Sequence, residues 1–416
     1  MSVIDRFIKY TKINTTTVPK TGALPSNKAE FDLANLIAQE LQDIGLVDVK
    51  VADNCILTAR LPANTNIAVP RLMFSAHLDT SSEQKGDTYA QIHKYNGGDI
   101  VLNAEQNIIM QASKFPELKN YVGEDIITTD GTSLLGADDK AGLAAIVEGL
   151  QYLVDNPHIK HGEIKVAFLP DEEQGLLGAK AFTEENFAEL GFMLDGGSLG
   201  EYSTENWNAD DAEIVFHGVS AHPMSAKGKM INSLLIAHEF ISKFPSAERP
   251  ELTEGIEGYF WVKNIQGNTS KTILNIDVRD FGAETRLKRL DFIHNLVAEF
   301  NKTYGENTVE AAVNSRYSNV ANHLQQFPWT EELILKAMNN LNIKPKKLIM
   351  RGGYDGAVLS QKGIPCPNIF TGAYNFHSIY EFLPVKSLNL AASMVAELAA
   401  ILVSYAEQNQ IKSNKK

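Results

Sequence analysis

The chain has 416 residues, longer than one hydrophobic core usually organises, so two domains are the default expectation. A hydrophobic content of 44% with 21% charged residues describes a folded globular protein, and the net charge of -13 argues against a nucleic-acid partner, because phosphate binding needs a basic surface. Cys55 and Cys366 are the only cysteines, too few for a disulfide framework or a thiolate zinc site, and they suit a reducing compartment as two buried thiols.

The first segment, MSVIDRFIKYTKINTTT, sets Asp5, Arg6 and Lys9 among its apolar residues and so lacks the unbroken core of a signal peptide. A cytoplasmic location is expected. Leu33, Ile37, Leu41 and Ile44 share one face of a helix over 27–44, which Gly45 stops. Strand patterns follow at 47–51 and 56–61. The next run, RLMFSAHLDT over 71–80, is apolar until it ends abruptly in His77 and Asp79. In open α/β sheets ligands bind at the carboxyl ends of strands, so an imidazole and a carboxylate two residues apart there point to a metal ligand with its partner. A pair satisfied at an ordinary turn is the alternative. From 80 to 118 the chain is polar, glycine-containing and without clear period, and it reads as an irregular surface excursion.

The stretch TTDGTSLLGADDKAG, 128–142, leads into a helix whose Leu143, Ile146, Val147, Leu150 and Leu153 share a face. An N-cap role would account for one of Asp138 and Asp139 but not both. Adjacent like charges need a cation or other partner nearby, and a carboxylate bridging two metals would supply the reason. Another buried-strand run, IKVAFLP, ends in Asp171, Glu172 and Glu173, for which a solvated acidic loop is the alternative. A fourth, 191–194, runs into Asp195, Gly196 and Gly197, and much later PNIFTGAYNFHSIYE carries His377. Imidazole nitrogens and carboxylate oxygens without thiolate suit two catalytic Zn2+ ions with open positions, or Mn2+ or Co2+ in their place.

Between these motifs the order from Glu213 is strand, helix (232–244), strand (258–265), strand (271–278), helix (284–302) and strand (307–313). That βαββαβ order is ferredoxin-like. The expected architecture is therefore an α/β catalytic domain, 1–207 and 318–416, with a mixed, largely parallel sheet flanked by helices and an inserted domain at 208–317. The apolar segment 389–406 is interrupted by Glu397 and falls short of a bilayer span of about 20 residues, so it reads as a core-facing helix rather than a membrane contact.

SAHLD, GADDKAG, PDEEQG, MLDGG and NFHSIYEF, in this order and at these separations, resemble the motifs of the di-zinc exopeptidases that include aminoacylase and carboxypeptidase G. ITTDGTSLLGADDKAG, TEGIEGYF, RGGYDGAVLS and PCPNIFTGAYNFH are similar to stretches of the tripeptide aminopeptidases within that family. The resemblance implies a zinc-exopeptidase-like fold and two Zn2+ per chain, with His77 and Asp195 on one metal, Glu173 and His377 on the other, and Asp138 bridging. It further implies that Asp79 orients His77, that Glu172 is the general base acting on a metal-bridging water, and that the Asp138–Asp139 peptide is cis.

The inserted domain would be the family's lid. There His222, in VSAHPMSAKG, resembles the lid histidine that stabilises an oxyanion, with a surface histidine before proline as the alternative. Arg279 and Arg351 are candidates for the substrate's terminal carboxylate, each with a structural salt bridge as the alternative. Tyr354 and His217 depart from the family's usual small hydroxyl and aliphatic residues. His93, His158, His161, His238, His294 and His323 have no motif context.

The expected activity is release of the N-terminal residue from tripeptides. A dipeptidase or an N-acyl amino acid hydrolase is the alternative within the family, and a catalytically inactive metal-dependent binding protein the alternative outside it. A short peptide is the expected partner, with a homodimer left open.

Overall fold

The computed structural model describes residues 1–409, which divide into two compact units. The first comprises Met1–Thr204, His323–Leu348 and the described residues from Tyr354 onward. Its centre is an eight-stranded mixed sheet in the order Val47–Val51, Leu57–Leu61, Ile164–Leu169, Leu72–His77, Leu190–Gly196, Asn368–Phe370, Glu201–Ser203 and Lys346–Lys347. Four adjacent strands, from Ile164–Leu169 to Asn368–Phe370, run parallel. Leu72–His77 lies among them and is buried at every position, which explains its continuous apolar run.

Register fixes where the polar strand endings fall. His77 pairs with Leu169, so Asp171, Glu172 and Glu173 follow at the same edge. Asn368 pairs with Met193 and Ile369 with Leu194, which brings Asp195 to that edge too. The helix Ala137–Asp155 packs on the strands Leu72–His77 and Leu190–Gly196 and against the helix Val385–Asn409. The latter is longer at both ends than the apolar segment suggested. Over Val385–Gln408 it is long and apolar enough to cross a bilayer, yet 67% of its most apolar 18-residue stretch is buried within the fold.

The excursion expected over 80–118 is more regular than its composition indicated. Gln91–Lys94 pairs with Asp125–Thr128, which also pairs with Phe382–Pro384, and Ile100–Asn103 pairs with Ile108–Met110. Tyr95, Leu102, Met110, Leu118 and Phe382 form a small core beneath them. Strands of three or four residues are too short to impose a readable period, and burial in this satellite core supplies what local pattern does not.

The second unit, Glu205–Asn322 with Ile349–Gly353, is a four-stranded antiparallel sheet in the order Tyr259–Gly267, Lys271–Asp280, Asn208–His217, Val309–Tyr317. The helices Ser233–Ser242 and Ala283–Tyr304 pack on it through Phe216, Phe240, Leu274, Ile293 and Phe300. This is the ferredoxin-like order read from the sequence.

Its limits differ from 208–317, however, and Arg351 falls inside it rather than in the catalytic part. Backbone bonds cause the difference: Trp207 N–H donates to the Met350 carbonyl (3.2 Å) and Met350 N–H to that of Glu205 (3.3 Å). Asn319 also accepts from Asn206 N–H (3.1 Å), and Gly353 presses on Tyr317 where a Cβ would fall 2.2 Å from the ring. Polar side-chain clamps and a distant return of the chain leave no periodic trace.

Close packing of the two long helices of the first unit depends on Gly149, where an added Cβ would lie 2.6 Å from Val395 Cβ and 2.7 Å from the Ala392 carbonyl. Gly149→Val is expected to destabilise the fold by about 1–3 kcal/mol through overpacking. A urea titration checks this, and an unchanged midpoint would contradict the packing argument.

Candidate metal centre

Five of the predicted ligands come together at the carboxyl edge of the parallel strands. Asp138 presents Oδ1 to His77 Nε2 at 2.9 Å and Oδ2 to His377 Nε2 at 3.2 Å. Around His77, Asp195 Oδ1 lies 3.8 Å from the same Nε2, while Glu173 Oε1 lies 2.7 Å from His377 Nε2. Two groups result, His77–Asp138–Asp195 and Asp138–Glu173–His377, whose donor atoms lie within 4.8 Å of one another in each. They share one residue, Asp138. Glu172 belongs to neither and is grouped instead with His77 and Glu173.

The local chain explains how Asp138 reaches this position. Its peptide bond to Asp139 is cis, as the resemblance implied, and both residues depart from helical angles although helix surrounds them. Glu381 receives the N–H groups of Gly136 (2.8 Å) and Asp138 (3.1 Å), bracing the turn. Asp139 faces the other way and accepts the His77 backbone N–H at 3.1 Å, which accounts for the second aspartate that capping left unexplained. Gly142 lets this helix approach the next strand, since a Cβ there would lie 2.0 Å from the Leu194 carbonyl.

Asp79 ties the centre together. His77 Nδ1 lies 3.2 Å from its Oδ1, and its two oxygens accept the backbone N–H groups of Glu172 (2.9 Å) and Glu173 (3.0 Å). One buried carboxylate therefore sets both the His77 ring and the turn carrying the glutamates. Asp171 holds that turn from the other side by accepting from Ser26, and its own N–H donates to Glu30 at 3.2 Å. Asn368 clamps Asp195 through both its backbone N–H (3.1 Å) and carbonyl (2.9 Å).

Electrostatics supplies a test of whether this donor set suits cations. Burial pushes the carboxyls of Glu172, Asp195 and Asp139 well above the usual range, and neighbouring carboxylates add to it. Glu381 is pushed up to about 8 by burial and then by Asp138, and Asp355 to about 7 chiefly by burial. Asp138 alone among the carboxylates of the two groups is held below its usual value: the two imidazoles outweigh the cost of burying it. Glu173 Oε1 is buried without a hydrogen-bond partner although it points at the His377 side. Converging oxygens that disfavour their own charge, together with imidazole nitrogens, fit two divalent cations.

The other three candidates lie in the second unit. His222 is exposed, and its Nδ1 accepts the Met224 N–H at 3.3 Å. Arg279 is buried and committed to Asp277 at 2.7 Å, the structural salt bridge weighed for it. Arg351 is exposed, with its guanidinium 4.9 Å from the Trp207 ring centre. Tyr354, in the first unit, is buried and donates its hydroxyl to the Cys366 carbonyl (2.9 Å). Sequence reasoning missed the bracing roles of Glu381 and Asn368. Both lie in quoted stretches, but only their partners across the fold reveal what they do.

A mixed α/β sheet bearing two histidine–carboxylate triads that meet at one aspartate defines a class, the dinuclear metallohydrolases. The model of "Peptidase family M20/M25/M40" matches residues 134–401, and that of "Peptidase family M28" matches 57–206. Peptidase T of Caldanaerobacter subterraneus subsp. tengcongensis is 43% identical over 96% of this chain and 98% of its own length. Peptidase T of Geobacillus thermodenitrificans is likewise 43% identical, over 95% and 97%. Among solved structures, aminopeptidase PepT from Bacillus cereus ATCC 10987 superposes with a TM-score of 0.74 at 22% identity, covering 97% of this chain and 98% of its own. A tripeptidase from Staphylococcus aureus gives 0.70 at 22% over the same shares. The chain belongs to peptidase family M20/M25/M40.

If Asp79 sets both ligand groups, Asp79→Ala should weaken metal binding roughly 10–100-fold. Competition with a chromophoric chelator measures this; affinity equal to that of the parent would show that the carboxylate is dispensable.

Proposed function

We infer that the chain is a metal-dependent aminopeptidase that releases the N-terminal residue of tripeptides. The observation that carries the reading is one aspartate shared by two triads, with a further carboxylate, Glu172, beside them and in neither. The relatives named peptidase T, similar over nearly the whole chain, support tripeptides as the substrate class.

In this reading His77, Asp138 and Asp195 hold one Zn2+, and Asp138, Glu173 and His377 the other. Bound zinc supplies Lewis acidity, lowering the pKa of a water and polarising the scissile carbonyl. Glu172 takes the proton from the attacking water and delivers it to the leaving amine. Its carboxyl is pushed upward by burial, which makes it a stronger proton acceptor than a solvated carboxylate. Asp79 keeps the Glu172 backbone and the His77 ring in place.

Of the two arginines, Arg351 is the better anion group. It is exposed, rests on Trp207 and has no carboxylate partner among the described residues, whereas Arg279 is occupied by Asp277. We assign Arg351 to the substrate's terminal carboxylate. Since hydrogen bonds to charged groups contribute about 1.5–3 kcal/mol, Arg351→Ala should raise KM for a free tripeptide roughly tenfold or more. The C-terminal amide of the same peptide should show no such change, and equal effects on both would remove the assignment.

The deciding experiment compares a free tripeptide, the matching dipeptide and the N-acetylated tripeptide as substrates of the zinc-loaded protein. Cleavage of the free tripeptide is expected. Glu172→Ala should lose about 10²–10⁴-fold in kcat while retaining its metal. Preference for the dipeptide or acetylated peptide would move the chain to another activity of the family, and no cleavage with both ions bound would favour a binding protein.

A further inference from the structure

We propose that Glu83 is a positioning residue of the centre, standing behind His377 and holding its imidazole so that Nε2 faces Asp138 and Glu173. His377 Nδ1 lies 3.1 Å from Glu83 Oε2, while Nε2 on the far side of the ring lies 3.2 Å from Asp138 and 2.7 Å from Glu173. His77 repeats the arrangement, with Nδ1 at 3.2 Å from Asp79 and Nε2 at 2.9 Å from Asp138. In both rings the nitrogen turned away from the shared aspartate meets a carboxylate. A carboxylate that takes the Nδ1 proton as its hydrogen-bond donor leaves the Nε2 lone pair free for a cation and fixes the ring plane.

The segment carrying Glu83 is built onto the centre. Glu83 N–H donates to Ser81 Oγ (3.3 Å), and Leu134, four residues before Asp138, donates its N–H to the Lys85 carbonyl (2.8 Å). Thr88 Oγ1 returns a bond to the Leu134 carbonyl at 2.7 Å. At Gly86 a Cβ would fall 1.9 Å from Thr16 Oγ1, so the turn approaches its neighbour as closely as a backbone can. The segments bearing Glu83 and Asp138 are therefore fastened together.

The two supports differ in one respect that makes the proposal measurable. Asp79 is fully buried, whereas the Glu83 side chain is 63% exposed. Water and salt screen the outer carboxylate, so its hold on His377 is weaker and depends on ionic strength. Removing it should loosen the Glu173–His377 side alone.

The proposal rests on the ligand assignment above, and the experiment separates the two. Metal-free protein is titrated with Zn2+ against a chromophoric chelator, and two dissociation constants are fitted. For Glu83→Ala one constant should rise about tenfold, the low end of what second partners of ligands contribute, with the other unchanged. Glu83→Gln should fall between, since its amide oxygen accepts a bond without charge, and added salt should narrow its gap from the parent. The thermal midpoint of the metal-free protein should not move. Two unchanged constants overturn the proposal, as does an equal weakening of both or a lowered midpoint, which would mark a merely structural loop. Uptake of fewer than two ions by the parent would overturn the ligand assignment, and this proposal with it.

Discussion

The Asp79 carboxylate is wholly enclosed, and the His77 ring and the N–H groups of Glu172 and Glu173 lie in hydrogen-bonding reach of it. An unpaired carboxylate at that depth would be costly, so the strand end and the acidic turn must arrive together or the fold forgoes both. This constraint makes the site a property of the sheet rather than of its loops. The register that places His77 opposite Leu169 brings the N–H groups to Asp79, and the same register leaves the side chains of Glu172 and Glu173 free for chemistry.

Beyond Asp79 the first unit encloses several further carboxyl groups, among them Glu30, Asp355 and Glu381. Glu30 is pushed up to about 9 by burial and by Asp79 and Asp171, and Glu381 and Asp355 are also raised. Lys140 is enclosed as well, donating to the Ile13 carbonyl at 2.6 Å, and burial lowers its ammonium to about 7. Divalent ions among these oxygens would restore the charged forms. In that sense cation binding and the integrity of the strand edge are one problem, and the bracing of Asp138 by Glu381 belongs to its solution.

How much of this was legible in the chain depended on distance along it. His77, Glu173 and Asp195 were readable because an apolar strand runs abruptly into each polar ending, a contrast that survives in one dimension, and Asp138 because two adjacent aspartates precede a helix. The ferredoxin-like unit was readable because its helices and long strands keep their periods. Glu83 and Asn368 were not, because an exposed glutamate in a polar turn and an asparagine in a short strand look ordinary until His377 and Asp195 are seen beside them. The limits of the second unit were hidden for a related reason. Met350 joins it through backbone bonds, which carry no side-chain signature.

His77 and His377 show how similar geometry can be built with unequal security. His77 is enclosed and its Nδ1 meets both the carboxylate and the carbonyl of Asp79, the latter at 3.1 Å. His377 takes a left-handed backbone angle, φ 61°, in a loop, and about a third of its side chain is exposed to solvent. A residue other than glycine keeps such a conformation only where its surroundings favour it. Here the carboxylates of Asp138 and Glu173 draw the ring inward from one side and Glu83 meets it from the other. The inner triad is thus fixed by packing and the outer one by charge, and the outer half of the centre is the more responsive to ionic conditions.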